Sequence, residues 1–170
     1  MSQIELAAYI QSNLQEAEIR VVLSGGAAVA FYSSDRYVSK DLDLVNIRFA
    51  KRSKIQAAMA TLGFQEKGRY FEHPETEYLV EFPPGPLSVG DEPVKQIDEI
   101  ELATGTLRVI SPTDCVKDRL CAYFFWGDNQ GLAQAVLVAQ TQDIDIQEIE
   151  RWSITVGKEE QFDILKNKLS

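Results

Sequence analysis

Asp41 and Asp43 stand either side of Leu42 in the run Asp41-Leu42-Asp43-Leu44-Val45. On an extended strand, residues i and i+2 point to the same face. Both carboxylates would then face one way, roughly 6–7 Å apart along the strand. Such a pair repels unless something positive lies between its members. A divalent metal is the simplest partner, and hard carboxylate oxygens suit magnesium. The plainer reading is two polar residues on the wet face of an edge strand. Aspartate is disfavoured in strands, which weighs against it. Upstream, Leu23-Ser24-Gly25-Gly26 closes one apolar run and opens a stretch of small residues. Glycines at such a turn let backbone amides approach an anion that a side chain would hold away.

Hydrophobic spacing predicts the elements that position these residues. Ile4, Leu6, Ala7, Ile10 and Leu14 recur at helical spacing, so residues 3–17 read as an amphipathic helix. Ile19–Leu23 reads as a buried strand, Ala27–Phe31 as a short helix and Asp41–Ile47 as the next strand. Lys51–Leu62 reads as a helix ended by Gly63. Residues 64–82 read as a meander whose strongest strand is Tyr78–Phe82. Pro83-Pro84-Gly85-Pro86 stops that strand, because proline has no backbone donor to continue a ladder. Val94–Leu102 alternates loosely, and Leu107–Ile110 reads as a strand after a Thr104-Gly105-Thr106 turn. Ser111-Pro112-Thr113-Asp114 is a helix start. Helical segments over residues 113–126, 129–141, 145–156 and 158–168 follow it. No repeat or low-complexity linker interrupts the chain.

A glycine pair after a strand, then a helix, then Asp-x-Asp on the next strand resembles the nucleotidyltransferase fold of the DNA polymerase β type. The matching residues are Gly25-Gly26 and Asp41-Leu42-Asp43-Leu44. More narrowly, Ser24-Gly25-Gly26-Ala27-Ala28 with Arg36, Ser39 and Asp41-Leu42-Asp43 looks like the AbiEii-type and related nucleotidyltransferases. Ser111-Pro112-Thr113-Asp114-Cys115-Val116-Lys117 is similar to the start of that group's C-terminal helical segment. The resemblance implies an α/β (α+β) fold, with a mixed sheet flanked by helices. Residues 1–110 would form the nucleotidyltransferase-like core, and residues 111–170 a helical portion packed on it.

The activity implied is magnesium-dependent transfer of a nucleotidyl group from a nucleoside triphosphate, ATP among them, to an acceptor hydroxyl. Two magnesium ions roughly 3.5–4 Å apart can neutralise the phosphates and hold the reacting oxygens in line. Asp41 and Asp43 would hold metal. Glu81, in the strand-like run Val80-Glu81-Phe82, would complete the metal site or act as the base. Gly25 and Gly26 would cradle phosphate, with Ser24, Arg36, Ser39 and Lys117 as further nucleotide-binding candidates. Gly26 stands where many members carry a serine. Arg36 has a second reading as a surface partner of Asp35 or Asp41, and Lys117 as a solvated helix lysine. The alternative function is non-catalytic: the same scaffold used for protein contacts, with a partner protein in a toxin–antitoxin pair.

The bulk composition narrows the acceptor. A net charge of −9 argues against extended nucleic-acid binding, which needs a basic surface. The local cluster Arg48, Lys51, Arg52 and Lys54 reads as a solvated helix start. Cys115 and Cys121 are the only cysteines and His73 is the only histidine, so no structural zinc pattern exists. Both cysteines read as reduced core residues of a cytoplasmic protein. The N-terminus has neither a basic region nor a long apolar run, so no signal peptide or membrane span is expected. The aromatic run Tyr123–Trp126 reads as core packing.

Overall fold

A computed structural model describes residues 1–170. Its first half contains α1 (Gln3–Glu16), β1 (Val21–Ser24), α2 (Gly25–Tyr32), β2 (Asp41–Asn46), α3 (Arg52–Thr61), β3 (Gln65–Lys67), β4 (Tyr70–Glu72) and β5 (Leu79–Glu81). The hairpin β6 (Ser88–Val89) and β7 (Glu92–Pro93) follows, then β8 (Ile97–Leu102) and β9 (Gly105–Ile110). Four helices close the chain: α4 (Pro112–Trp126), α5 (Asn129–Thr141), α6 (Ile146–Thr155) and α7 (Glu159–Leu169). Seven strands form one mixed sheet in the order β3-β4-β5-β2-β1-β9-β8. Strand β2 is antiparallel to β1 and parallel to β5, and β1 is parallel to β9. The fold class is that expected from the sequence, a mixed sheet with helices packed on it.

Local chemistry explains the element ends. Ser2 and Glu5 form a reciprocal capping box at α1: the Glu5 amide donates to Ser2 Oγ at 3.2 Å, and the Ser2 amide donates to Glu5 Oε2 at 2.7 Å. Ser111 caps α4 by accepting from the Asp114 amide at 3.1 Å. Helix α1 is clamped to β9 by Gln11, which donates to Arg108 O at 3.0 Å and accepts from the Arg108 amide at 2.6 Å. The far end of α2 is pinned by the Tyr32 hydroxyl, which donates to Ile110 O at 2.6 Å.

One cluster of 36 buried residues runs through the molecule. It joins Leu23, Leu42, Leu44 and Val80 of the sheet to Val116, Leu120 and Phe124 of α4, Val138 of α5, Trp152 of α6 and Phe162 of α7. The C-terminal helices thus share their apolar faces with the sheet.

Three features depart from the expectations. Helix α2 begins at Gly25, two residues before Ala27, because a positive φ of 67° at Gly25 turns the chain directly off β1. The loose alternation over Val94–Leu102 resolves into β8 from Ile97 only; the Val94 amide instead bonds Leu87 O at 3.0 Å, flanking the β6–β7 hairpin. The aromatic run is split. Phe124 is buried and stacks on Trp152 at 6.0 Å, whereas Trp126 is 85% exposed. Two steps along a helix turn a side chain through roughly 200°, so one face cannot bury both. No helix is long and apolar enough to cross a membrane.

Candidate active site

The strand register assembles the candidate residues. Ser24 at the end of β1 lies opposite Asp43 of β2, and Asp43 lies beside Glu81 of β5. Residues directly opposed across a sheet project to the same face. Ser24, Asp43 and Glu81 therefore form a row across three adjacent strands. Asp41 sits two residues before Asp43 on that same face, beside Leu79. The intervening Leu42 and following Leu44 point into the core and are fully buried. This alternation gives β2 one apolar and one acidic face.

The glycine turn abuts this row. A Cβ on Gly25 would lie 2.3 Å from Asp43 Oδ2, and the residue's φ of +67° strains any other side chain. The turn and the carboxylate are thus in direct contact, and only glycine permits it. A Cβ on Gly26 would lie 3.1 Å from Ser39 Oγ and 3.2 Å from Tyr37 Cε1. Ser39 steadies the entry to β2, its Oγ accepting from the Asp41 amide at 3.3 Å. Ser24 occupies the N-cap of α2 without using its hydroxyl as a cap. The helix start therefore presents amides and a hydroxyl that no local side chain consumes.

A cleft of about 350 Å³ opens over the row, lined by Ser24, Gly25, Asp43 and Glu81 together with Asp118 and Arg119 of α4. Burial pushes the Asp43 carboxyl up to about 6, with Glu81 and then Asp41 adding repulsion and Arg119 opposing it. Glu81 lies 3.8 Å from Arg69 Nε, which reaches in from the β3–β4 turn. No three acidic, histidine or cysteine side chains are drawn together into a metal cage. The chemistry of the donors nevertheless fits a hard divalent cation, because carboxylates from adjacent strands share one face of the sheet.

The other candidates are dispersed. Arg36 is exposed on the loop before β2 and does not line the cleft. Lys117 is buried, with Nζ 3.0 Å from Glu148 Oε1 and 3.6 Å from Asp114 Oδ1. It lines a separate polar hollow with Glu92 and Arg151. The neighbouring Arg119 enters the cleft instead, a residue that sequence reasoning missed. Its guanidinium is anchored by Asp118, through Nε at 3.0 Å, and donates from Nη1 to Gln134 Oε1 at 3.1 Å. The signal was present: Lys117-Asp118-Arg119 lies between the buried Val116 and Leu120. Three successive charges on a helix span about 200° of its circumference, so they cannot all face solvent when both neighbours are buried.

The fold has solved counterparts. The chain superposes on a nucleotidyltransferase-like protein from Paracoccidioides brasiliensis with a TM-score of 0.64 and 13% identity, covering 98% of this chain and 92% of that one. It also superposes on the antibiotic-resistance factor ANT(2'')-Ia in its solution structure, with a TM-score of 0.59 and 16% identity over 98% of this chain and 96% of that one. A crystal structure of ANT(2'')-Ia in complex with adenylyl-2''-tobramycin gives a TM-score of 0.55 and 16% identity over 88% and 94% of the two chains. No family model matches the sequence, and no curated protein matches it. The fold is that of a nucleotidyltransferase.

Proposed function

We propose that the protein is a magnesium-dependent nucleotidyltransferase, moving a nucleotidyl group from a nucleoside triphosphate to an acceptor hydroxyl. The observation that carries this reading is the row Ser24–Asp43–Glu81 with Gly25 packed against Asp43. The likeness to ANT(2'')-Ia supports it, because that protein is seen with an adenylylated product. The narrower AbiEii-type reading rests on residues 24–43 together with the run Ser111–Lys117.

The roles follow from position. The amides at the start of α2 and the Ser24 hydroxyl bind phosphate oxygens. Asp43 and Glu81, with Asp41 beside them, hold the metal. Magnesium, when bound, neutralises the triphosphate and favours ionisation of the attacking hydroxyl. Glu81 either completes that metal site or accepts the proton. The acceptor oxygen bonds to the α-phosphorus, and pyrophosphate leaves. Arg119, held rigid by Asp118 and Gln134, balances negative charge on the triphosphate.

The test is thermal unfolding with magnesium and each of the four common nucleoside triphosphates in turn. A ligand at a hundredfold excess over its Kd stabilises the native state by about 2.7 kcal/mol. At least one triphosphate is expected to raise the melting temperature of the wild type, and none that of Asp43→Asn. Identical shifts in the two proteins would reject the assignment.

A further inference from the structure

The register that aligns Ser24, Asp43 and Glu81 continues outward. Tyr70 of β4 lies opposite Glu81, and Lys67 of β3 lies opposite Tyr70. Opposed residues share a face, so the row extends across five strands and turns from acidic to basic at Tyr70. Arg69 belongs to the two-residue turn Gly68-Arg69 that joins β3 to β4. Its guanidinium lies over the Tyr70 ring, 4.9 Å from the ring centre, and Nη2 donates to the Tyr70 hydroxyl at 2.7 Å. This anchor leaves Nε 3.8 Å from Glu81 Oε1. We propose that Arg69 is the positioning residue for Glu81: it is the resident counter-ion of the acidic row, and a divalent cation must displace it to take up that carboxylate. The inference rests on the metal site of the nucleotidyl-transfer reading above.

Three observations carry it. Of all the ion pairs in the chain, the one between Arg69 and Glu81 alone involves Asp41, Asp43 or Glu81. Arg119, the other arginine at the cleft, is paired with Asp118, and Lys67 is paired with Glu72 at 3.5 Å. The contact is also built to exchange. At 3.8 Å it is an ion pair without a hydrogen bond. The Arg69 side chain is 71% exposed and that of Glu81 only 25%. The arginine can therefore withdraw into solvent without disturbing the core, while the carboxylate stays on the sheet. Finally, the contact supplies what the row requires. Carboxylates on one face repel each other unless a positive charge stands among them, and the guanidinium brings that charge to Glu81. A cation that binds Glu81 meets the repulsion of Arg69, so the two compete for one carboxylate.

The test is manganese(II) binding without nucleotide, followed by electron paramagnetic resonance. The proteins compared are the wild type, Arg69→Gln, Lys67→Gln, Glu81→Gln and the double variant Arg69→Gln/Glu81→Gln. Arg69→Gln is expected to tighten binding by about three- to tenfold, because it removes the competitor. Lys67→Gln removes the same charge from the outer edge strand and should stay within about twofold of the wild type. Glu81→Gln binds manganese more weakly, and adding Arg69→Gln to it should gain no more than about twofold, since the contested carboxylate is gone. Weaker binding by Arg69→Gln would make Arg69 a support of the metal site, and unchanged binding would make it a bystander; either result overturns the proposal. An equal gain in Lys67→Gln, or a full gain in the Glu81→Gln background, would overturn it too, by reducing the effect to overall charge. No manganese binding by the wild type or Arg69→Gln would overturn it together with the metal site. Equal binding by those two, with the triphosphate shift of the preceding section intact, rejects the role of Arg69 alone. The predicted gain without any triphosphate shift would keep the exchange and reject the transfer chemistry.

Discussion

At the residue scale, Asp43 carries the account and its ionisation has a cost that can be measured. Its carboxyl titrates at about 6 in the fold, against about 3.9 in an unfolded chain. A carboxyl whose pKa rises on folding binds its proton more tightly in the native state. Its contribution is therefore most favourable below the unfolded value and is lost as pH rises from about 4 through about 6. Asp43→Asn is expected to be more stable than the wild type at about pH 8 in EDTA, by roughly 1–3 kcal/mol, read as a higher melting temperature. The same variant should lose nucleotidyl transfer by about a hundredfold or more. A variant that is both less stable and fully active would contradict both halves. The Asp-x-Asp pair and the glycine turn are legible in the sequence because each is a local pattern. Glu81 is legible only as an acidic residue in a strand-like run; its place beside Asp43 depends on strand order. Arg119 is not legible as a cleft residue, because which charge on α4 faces inward depends on the packing of a distant helix.

At the element scale, the position of Arg119 depends on how α5 crosses α4. A Cβ on Gly131 would lie 2.6 Å from the Arg119 carbonyl oxygen and 3.1 Å from Ala122 Cβ. Backbone contact this close admits only glycine, and it brings Gln134 within reach of the Arg119 guanidinium. Gly131→Ala is expected to force the helices apart and destabilise the protein by roughly 1–3 kcal/mol, measured by urea unfolding. It should also weaken triphosphate binding, because Arg119 shifts with its carbonyl. A neutral effect on both would show that the crossing has slack. The helices are readable in the sequence because their apolar spacing is sustained over several turns. The β6–β7 hairpin is not, since two-residue strands are too short to establish any period. That hairpin borders the cleft through Ser88 and Val89, so part of the site lies beyond what periodicity can reveal.

At the scale of the whole molecule, one continuous core fixes the C-terminal helices to the sheet, and a polar network reinforces the join. Lys117 of α4 binds Glu148 of α6, and Arg151 bonds both Glu148 and Glu92 of β7. The Arg151 hydrogen bond, followed by that from Lys117, pulls the Glu148 carboxyl down to about 2. A depressed carboxyl stabilises the fold above its unfolded value of about 4.3, and this support fades as pH falls toward 2. Solvent screening at this half-exposed site keeps the effect to about 1 kcal/mol. Glu148→Gln is expected to flatten the fall in unfolding free energy across that acid window, and an unchanged pH profile would contradict the assignment. The fold's likeness to known nucleotidyltransferases places the sheet and helices but leaves the chemistry to the carboxylates. The most direct test is manganese(II) binding, followed by electron paramagnetic resonance with a non-hydrolysable triphosphate present, in the wild type, Asp43→Asn and Glu81→Gln. Saturable binding by the wild type, weakened by about tenfold or more in each variant, is expected. Equal binding by all three proteins would contradict the claim that adjacent strands present a shared cation site.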